Sequence, residues 1–388
     1  MEKQIGIVVT TISDGAFVDT YRSAAGSYPC SQDISMYVIG DVNTPPECQR
    51  RIEQARDHGI LVKYVDVPEQ EEFLRPFPKM ARLIPLRSDQ RRNIGFLMAL
   101  HDHCDVLISV DDDNFPSFES PFFEHHAVVG TDQAFVSTRS RNHWFNLASL
   151  LEVSDGSGHA CTIYPRGYPH SRRFNDASSV DGESVAGRVA VNVGLWTGDP
   201  DVDAATRLVT ACTSRASNQR RYMLGSRQRA PINSQNTSLL WHAIPAYYFV
   251  LMRQDIAGMQ MDRFGDIFSG YFLQLCVEAT GHRICLGPPY VHQDRNVHNI
   301  LRDLRLEVPG MMLIEAMTDF LEEALPRATS YSEAYLCLAD RLLEWSQKQQ
   351  GDLWTSSTRQ FFIALNAAMR EWIATCVSLA GGQSALKV

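Results

Sequence analysis

The sequence of 388 residues lacks the patterns that mark several common protein classes. It has no run of about 18 apolar residues, the length that a membrane-spanning helix needs. Its 36 basic residues are outnumbered by 45 acidic ones, and the net charge of −9 argues against broad nucleic-acid binding, which needs a basic surface. The first residues do not resemble a secretory signal, because their apolar stretch is short. We therefore expect a cytoplasmic globular protein without a membrane span.

Several cofactor and catalytic signatures are also missing. The first apolar run is not followed by G-x-G-x-x-G, and neither the P-loop pattern nor the G-x-S-x-G nucleophile elbow occurs. The nine cysteines are an odd number and form no C-x-x-C pair, which favours reduced thiols. The sequence therefore predicts no flavin, no NAD and no P-loop nucleotide site.

Short apolar runs alternate with helix-like stretches over the first 115 residues. Strands are predicted at residues 5–9, 36–39, 61–65 and 106–110, and a helix at 92–100. This alternation predicts an α/β fold with a mostly parallel sheet, in which ligands bind at the carboxyl ends of the strands. From about residue 309 the pattern changes to long amphipathic helices. We expect a sheet-bearing domain at 1–308 and a C-terminal helical region at 309–388, which covers the sheet or forms an oligomer.

The most informative motif is L-I-S-V-D-D-D-N at residues 107–114, an apolar strand that ends in three carboxylates. Adjacent carboxylates repel each other, and Mg²⁺ or Mn²⁺ resolves the conflict because both prefer oxygen ligands and often bridge to a diphosphate. A strand followed by D-x-D is the metal–diphosphate site of nucleotide-sugar enzymes with the GT-A fold. We assign Asp111 and Asp113 to the metal, and Asp111 and Asp112 to the diphosphate. The alternative is a solvated turn or a helix N-cap.

Two loop segments contribute further candidates. Residues 164–173 hold Arg166, Arg172 and Arg173, and arginine binds phosphate oxygens through two parallel hydrogen bonds. The alternative is a basic surface loop. Residues 194–203 place Trp196 before three alternating carboxylates, a combination that suits sugar hydroxyls resting on an aromatic ring. The alternative is a turn and a helix cap. Of the three carboxylates, the candidates are Asp201 and Asp203.

The remaining candidates lie after predicted strands or at the start of a predicted helix. Asp266 opens a helix at 266–279 and suits a sugar hydroxyl or a proton-transfer role, or it is only an N-cap. His292 follows an apolar strand and is a candidate metal ligand, although a lone histidine is more often structural. For the nucleotide and its phosphates we add Thr10, Thr11, Asp41 and Arg92, and for the sugar Asn236.

Read together, these segments resemble the reversibly glycosylated polypeptides, the family of plant UDP-arabinopyranose mutases. The resemblance is collinear from about residue 5 to 300. It rests on the early strand ending in Thr, the D-D-D triplet, R-G-Y-P-x-S at 166–171, and G-L-W at 194–196 followed by D-x-D-A at 201–204. The sequence departs from the family at 265–268, where G-D-I-F replaces D-D-M-W. It also departs at 289–292, where the histidine is displaced by one position.

The resemblance implies a GT-A-like nucleotide-sugar enzyme that needs Mn²⁺ or Mg²⁺ and interconverts the pyranose and furanose rings of its substrate. The family's glycosylated and catalytic arginine corresponds to Arg166, which we expect to stabilise the sugar cation or, as a second option, to capture it covalently. We expect Asp201, Asp203 or Asp266 to hold hydroxyls and move the proton. The departures leave the sugar and the nucleobase open, so a GDP-linked and a UDP-linked substrate are both possible.

Two other functions share the same site. A glycosyltransferase would use the same metal–diphosphate chemistry but pass the sugar to an acceptor. A self-glycosylated carrier would keep about one sugar per chain without turnover. The sequence separates these from a mutase only through the family motifs.

Overall fold

The computed structural model describes residues 3–26, 28, 33–54, 60–117 and 121–387. The strands are β1 (Ile5–Thr10), β2 (Ile34–Ile39), β3 (Leu61–Val65), β4 (Val106–Val110), β5 (Asn114–Pro116), β6 (Asp132–Val136), β7 (Leu151–Asp155), β8 (Ser184–Gly198), β9 (Cys212–Ala216), β10 (Tyr222–Met223), β11 (Asn236–Leu240), β12 (Gln254–Ile256), β13 (Met259–Met261) and β14 (Arg283–Gln293). The helices are α1 (Phe17–Ala25), α2 (Pro46–Gln54), α3 (Val67–Leu74), α4 (Pro78–Leu83), α5 (Arg92–His101), α6 (Phe122–His126), α7 (His170–Arg173), α8 (Ala204–Val209), α9 (Gly265–Thr280), α10 (Ile300–Glu322), α11 (Tyr331–Lys348) and α12 (Ser356–Leu379). Short 3₁₀ helices cover Asp89–Arg91, Leu147–Leu150, Trp241–Ala246 and Gln383–Leu386.

The central sheet runs in the order β10-β14-β8-β11-β4-β1-β2-β3. Strands β3, β2, β1 and β4 are parallel neighbours, as the alternating pattern predicts. Beyond them β11 pairs antiparallel with both β4 and β8, while β8 and β14 are parallel to each other. The predicted α/β class is confirmed, and the four predicted strands match β1 to β4.

Strand β4 is the centre of the sheet, and all five of its residues are buried. The predicted helix before it is α5, which packs on β1 at unusually close range. A Cβ atom at Gly95 would lie 2.4 Å from Cγ1 of Val8, so only glycine allows this approach. Helix α5 thereby fixes the carboxyl ends of β1 and β4, from which Thr10 and Asp111 emerge.

The C-terminal helices pack against the sheet-bearing part of the chain. Ser330 caps α11 by accepting the backbone N–H of Glu333 at 3.1 Å. In α12, Nε1 of Trp372 donates to the carbonyl of Pro245 at 3.1 Å, so the apolar stripe of this helix is buried within the chain. The predicted boundary at 308/309 falls inside α10, and the division into two regions stays a prediction. In the part of the chain that the structure describes, no helix combines the length and the apolar character needed to cross a bilayer.

Candidate active site

The carboxyl ends of β1 and β4 open into a cleft of about 690 Å³. The other walls come from the loop that carries Arg166, the start of α9 and the segment after β14. The structure brings eight predicted residues to this cleft, which are Thr10, Arg92, Asp111, Asp112, Asp113, Arg166, Asp201 and Asp266. They come from segments far apart in the chain, so the fold assembles one polar site from separate motifs.

The guanidinium of Arg166 is held between two carboxylates. Its Nε and Nη2 donate to the two carboxylate oxygens of Asp201, both at 3.1 Å. Its Nη1 and Nη2 donate to Asp266 at 3.1 and 2.7 Å, and Nη1 also donates to the carbonyl of Arg263. Only 8% of Arg166 is exposed, so this cluster is a buried ion triad rather than a surface contact.

The triad fixes the charge of its members. Burial alone would lower the pKa of Arg166, but Asp201 and Asp266 raise it well above the ordinary value. Burial would raise the pKa of Asp201, yet Arg166, Arg295 and the hydrogen bonds from Arg166 and Asn233 hold it well below the ordinary value. Asp201 is therefore ionised and Arg166 protonated at neutral pH.

The three carboxylates after β4 have different neighbours. Asp111 receives a hydrogen bond of 2.5 Å from Nη2 of Arg92, a buried arginine that also donates to Thr10 at 3.1 Å. Asp112 accepts the hydroxyl of Thr11 at 2.6 Å. Asp113 accepts the side-chain amide of Asn114 at 2.9 Å. Burial, followed by the charges of Asp111 and Asp112, raises the pKa of Asp113 to about 7.

Three consecutive carboxylates follow β4, and among the described residues only Asp111 of the three forms a salt bridge, which is with Arg92. The described residues contain no group of three or more His, Cys, Asp or Glu side chains suited to a metal ion. Mg²⁺ in proteins is commonly held by one or two carboxylates together with substrate phosphates and water. Asp111 and Asp113 fit this pattern, since both are hard oxygen donors at one cleft.

A smaller cavity of about 240 Å³ adjoins the cleft and shares Thr10, Asp89 and Asp112 with it. The predicted nucleotide-binding residues Thr11 and Asp41 also line it. One carboxylate oxygen of Asp41 accepts the backbone N–H of Val42 at 2.7 Å, and the other accepts that of Ser88 at 3.0 Å. The cavity therefore has a fixed carboxylate in its wall.

Two predicted phosphate ligands and one predicted catalytic carboxylate do not line the cleft. Nη2 of Arg172 pairs with Glu322 of α10 at 2.9 Å. Nη2 of Arg173 pairs with Asp203 at 2.7 Å. Asp203 also caps α8 by accepting the backbone N–H of Thr206 at 2.8 Å. These three side chains join the loop to the helices beside it, which corrects their predicted placement.

The predicted sugar ligands and the predicted histidine ligand also lie elsewhere. Trp196 and Asn236 are buried in the sheet, where Nδ2 of Asn236 donates to the carbonyl of Leu195 at 2.9 Å. His292 is exposed, and its Nδ1 lies 3.1 Å from Oγ1 of Thr197 on the side of β14 away from the cleft. The next residue, Gln293, faces the cleft instead because successive side chains of a strand point to opposite faces.

Several cleft residues were missed from the sequence. Arg263 and Arg295 lie within three residues of the segments 265–268 and 289–292, but nothing in the sequence shows which side chains of a loop face inward. Arg295 contacts Asp201 at 3.8 Å, and its buried Nε has no hydrogen-bond partner among the described residues. Asn233 donates to Asp201 at 2.8 Å. Gln293 and His298 complete the wall beside Asp113.

Comparison with known families identifies one match that covers most of the chain. The family model described as reversibly glycosylated polypeptide matches residues 64–380. A probable UDP-arabinopyranose mutase 2 of Solanum tuberosum is 28% identical over 390 aligned positions, which cover 96% of this chain and 90% of that protein. UDP-arabinopyranose mutase 3 of Arabidopsis thaliana is 26% identical over 382 positions, covering 96% and 91% of the two chains.

Solved structures align with most of the chain at low similarity. TarS of S. aureus (residues 1–349) aligns at a TM-score of 0.40 and 10% identity, covering 98% of this chain and 92% of that chain. Glucosyl-3-phosphoglycerate synthase of Mycobacterium tuberculosis, in complex with Mn²⁺ and UDP-glucose, aligns at a TM-score of 0.39 and 11% identity, covering 81% and 79%.

Proposed function

This chain belongs to the reversibly glycosylated polypeptide family, and from that premise we propose that it is a metal-dependent mutase that interconverts the pyranose and furanose forms of a nucleotide sugar. One observation carries the proposal. A pair of metal-suited carboxylates, Asp111 and Asp113, lines the same cleft as the triad of Arg166, Asp201 and Asp266. The first group suits a diphosphate leaving group, and the second suits a sugar that becomes positively charged.

The diphosphate would lie at the end of the cleft formed by Asp111 and Asp113. A bound Mg²⁺ or Mn²⁺ would supply positive charge to the diphosphate oxygens as the anomeric C–O bond breaks. Arg295 suits the same task, because its guanidinium is buried beside the cleft and only weakly paired. Arg92 orients Asp111 rather than binding phosphate, since its two terminal nitrogens already donate to Ser109, Val110, Thr10 and Asp111.

The triad would act on the sugar. Breaking the C1–O bond leaves positive charge on C1 and the ring oxygen, which ionised Asp201 stabilises. The 4-hydroxyl oxygen then attacks C1 and gives its proton to Asp266. The C1–O5 bond breaks, and the same proton passes from Asp266 to O5, which becomes the 5-hydroxyl. A diphosphate oxygen finally attacks C1 and restores the bond between the sugar and the nucleotide.

Asp266 suits the proton-transfer role better than Asp201. Asp266 accepts hydrogen bonds from Arg166, whereas Asp201 accepts them from both Arg166 and Asn233 and also contacts Arg295. The pKa of Asp201 is held well below its ordinary value by these donors, so Asp201 does not readily take up a proton. Arg166 itself is assigned to positioning the two carboxylates, because a guanidinium whose pKa is raised further has no lone pair with which to capture the sugar.

The substrate class follows from the relatives and from the adjoining cavity. The relatives are named UDP-arabinopyranose mutases, so a UDP-linked pentose is the first candidate. The carboxylate of Asp41 can accept roughly four hydrogen bonds, and two of them come from backbone N–H groups. The remaining acceptor positions suit an N–H edge of a nucleobase. Uracil and guanine both present such an edge, so GDP-linked sugars form the comparison set.

The test is to incubate the protein and Mn²⁺ with UDP-arabinopyranose and to follow sugar ring form and nucleotide by chromatography. A mutase converts part of the pool to the furanose and releases no UDP. Stoichiometric UDP release would indicate a transferase, and label retained on the protein would indicate a carrier.

The metal component is tested in the same assay. EDTA and Asp113→Asn should each abolish turnover. The matched control is Asp199→Asn, because Asp199 pairs with Arg207 at 2.6 Å outside the cleft. Turnover that survives both EDTA and Asp113→Asn would overturn the metal-dependent proposal.

A further inference from the structure

Gln293 has a buried amide oxygen that lacks a partner. The residue is 4% exposed and lines the cleft, yet Oε1 forms no hydrogen bond with any described residue. Leaving a buried acceptor unsatisfied is destabilising, and most such groups in folded proteins have a partner. The amide therefore points to a group that binds in the cleft.

The register of the sheet places Gln293 beside the carboxylates after β4. Gln293 of β14 is directly opposite Asn114 of β5 in an antiparallel pair, an arrangement that brings side chains of one face to within about 5 Å. The amide of Asn114 donates to Asp113 at 2.9 Å, and the backbone N–H of Asp294 donates to the carbonyl of Asp113 at 3.0 Å. These two hydrogen bonds hold Asp113 beside the end of β14 that carries Gln293.

The chemistry of the missing partner follows from these neighbours. An amide oxygen accepts hydrogen bonds or binds cations, so its missing partner is a hydrogen-bond donor or a cation. A neutral oxygen beside two or three carboxylates is a donor set that hard divalent ions use, since glutamine and asparagine carbonyls are ordinary ligands of such ions. The residue next to it, His292, is directed away from the cleft and does not supply this donor.

We propose that Oε1 of Gln293 is a ligand of the divalent cation that Asp111 and Asp113 bind. The proposal rests on the metal-dependent function proposed above and adds a residue to it. It makes the protein's donor set entirely oxygen, which favours Mg²⁺ and Mn²⁺ over metals that prefer nitrogen. The glutamine thereby sets the metal preference of the site.

The test measures Mn²⁺ affinity directly, by calorimetric titration of the full-length protein with and without UDP. Gln293→Met keeps the length of the side chain and removes the oxygen. It should weaken Mn²⁺ binding at least about tenfold, because even partners outside the first coordination shell change metal affinity about 10- to 100-fold. Gln293→His should shift the preference from Mn²⁺ towards Co²⁺ and Ni²⁺. The matched control is His292→Gln, which should leave Mn²⁺ affinity unchanged.

The outcomes separate this inference from the proposed function. Thermal unfolding of Gln293→Met without metal should occur at the wild-type temperature or above it, because the change removes an unsatisfied buried group. Wild-type Mn²⁺ affinity in Gln293→Met would overturn the role of Gln293 and leave the mutase proposal standing. A wild-type protein that binds no Mn²⁺ would overturn the metal-dependent function, and this inference with it.

Discussion

Nη2 of Arg166 lies 2.7 Å from Oδ2 of Asp266, although the two residues are 100 positions apart in the chain. The contact joins the R-G-Y-P loop to the first turn of α9. Asp201 binds the same guanidinium from the other side at 3.1 Å. The geometry of both carboxylates therefore depends on one arginine.

Removal of this arginine should destabilise the protein and abolish turnover. Arg166→Ala leaves Asp201 and Asp266 close together and largely buried without their shared cation, and breaking a buried pair in this way costs about 3–5 kcal/mol. The loss is measured by chemical denaturation, with turnover followed in parallel.

A variant in which all three triad residues are neutral distinguishes the effect of charge on stability from the role of the triad in turnover. The triple variant with Arg166→Met, Asp201→Asn and Asp266→Asn removes all three charges, so we expect it to regain most of the lost stability but no turnover. If Arg166→Ala keeps wild-type stability and turnover, Arg166 does not organise the site.

Asp201 and Asp203 are two residues apart, but we expect substitution of Asp201 to lower turnover and substitution of Asp203 to lower only stability. Asp201→Asn should lower turnover about 10²- to 10⁴-fold, the range typical of groups that assist proton transfer or charge development. Asp203→Ala removes the cap of α8, which costs about 0.5–2 kcal/mol, and leaves turnover at the wild-type value. Steady-state kinetics and thermal unfolding of both variants check the prediction, and a large loss of turnover in Asp203→Ala would contradict it.

His126 should give the protein a measurable loss of stability below neutral pH. It is fully buried, its Nδ1 lies 2.6 Å from Oγ of Ser238, and its Nε2 lies 3.0 Å from Oδ1 of Asn236. Burial lowers its pKa from 6.5 to about 3. Between these values the unfolded chain binds one more proton than the folded protein, so stability falls as pH falls below about 6.5.

The expected size follows from linkage. Between pH 7 and pH 5.5 the histidine should account for about 1.3 kcal/mol of lost unfolding free energy. Denaturation curves of the wild type and of His126→Gln at both pH values measure this difference. Equal pH dependence in the two proteins would show that His126 is not held neutral by burial.

Local patterns were sufficient for much of the fold and for part of the site. The apolar runs predicted β1, β2 and β4 because strands buried on both faces are continuous and apolar. Strand β3 has exposed Leu61 and Lys63, and its prediction rested on its short run of strand-forming residues. The triplet at Asp111 to Asp113 was identified because its unusual charge follows directly on β4. The pairing of Arg166 with Asp266 was outside the reach of local patterns, because it depends on how distant segments pack.

The assignment of His292 shows a second limit. The choice between His292 and Gln293 depends on which face of β14 each side chain occupies, and a shift of one residue exchanges the two faces. Strand β14 has irregular register with β8 between Leu286 and Val291, so the alternation cannot be counted from the start of the strand. A related limit applies to Arg172 and Arg173, which we predicted to bind phosphate. The sequence of a basic loop does not show that Arg172 pairs with Glu322 and Arg173 with Asp203.

The proposed mutase reaction requires that the C1–O bond to the diphosphate breaks and re-forms while the nucleotide stays bound. Positional isotope exchange measures this cleavage, with substrate that carries ¹⁸O in the oxygen between C1 and the β-phosphorus. We expect the label to spread into the non-bridging oxygens of the β-phosphate at least as fast as furanose appears, because a freed phosphate group can rotate before it re-adds. Furanose formation with the label kept entirely in the bridge would contradict the account.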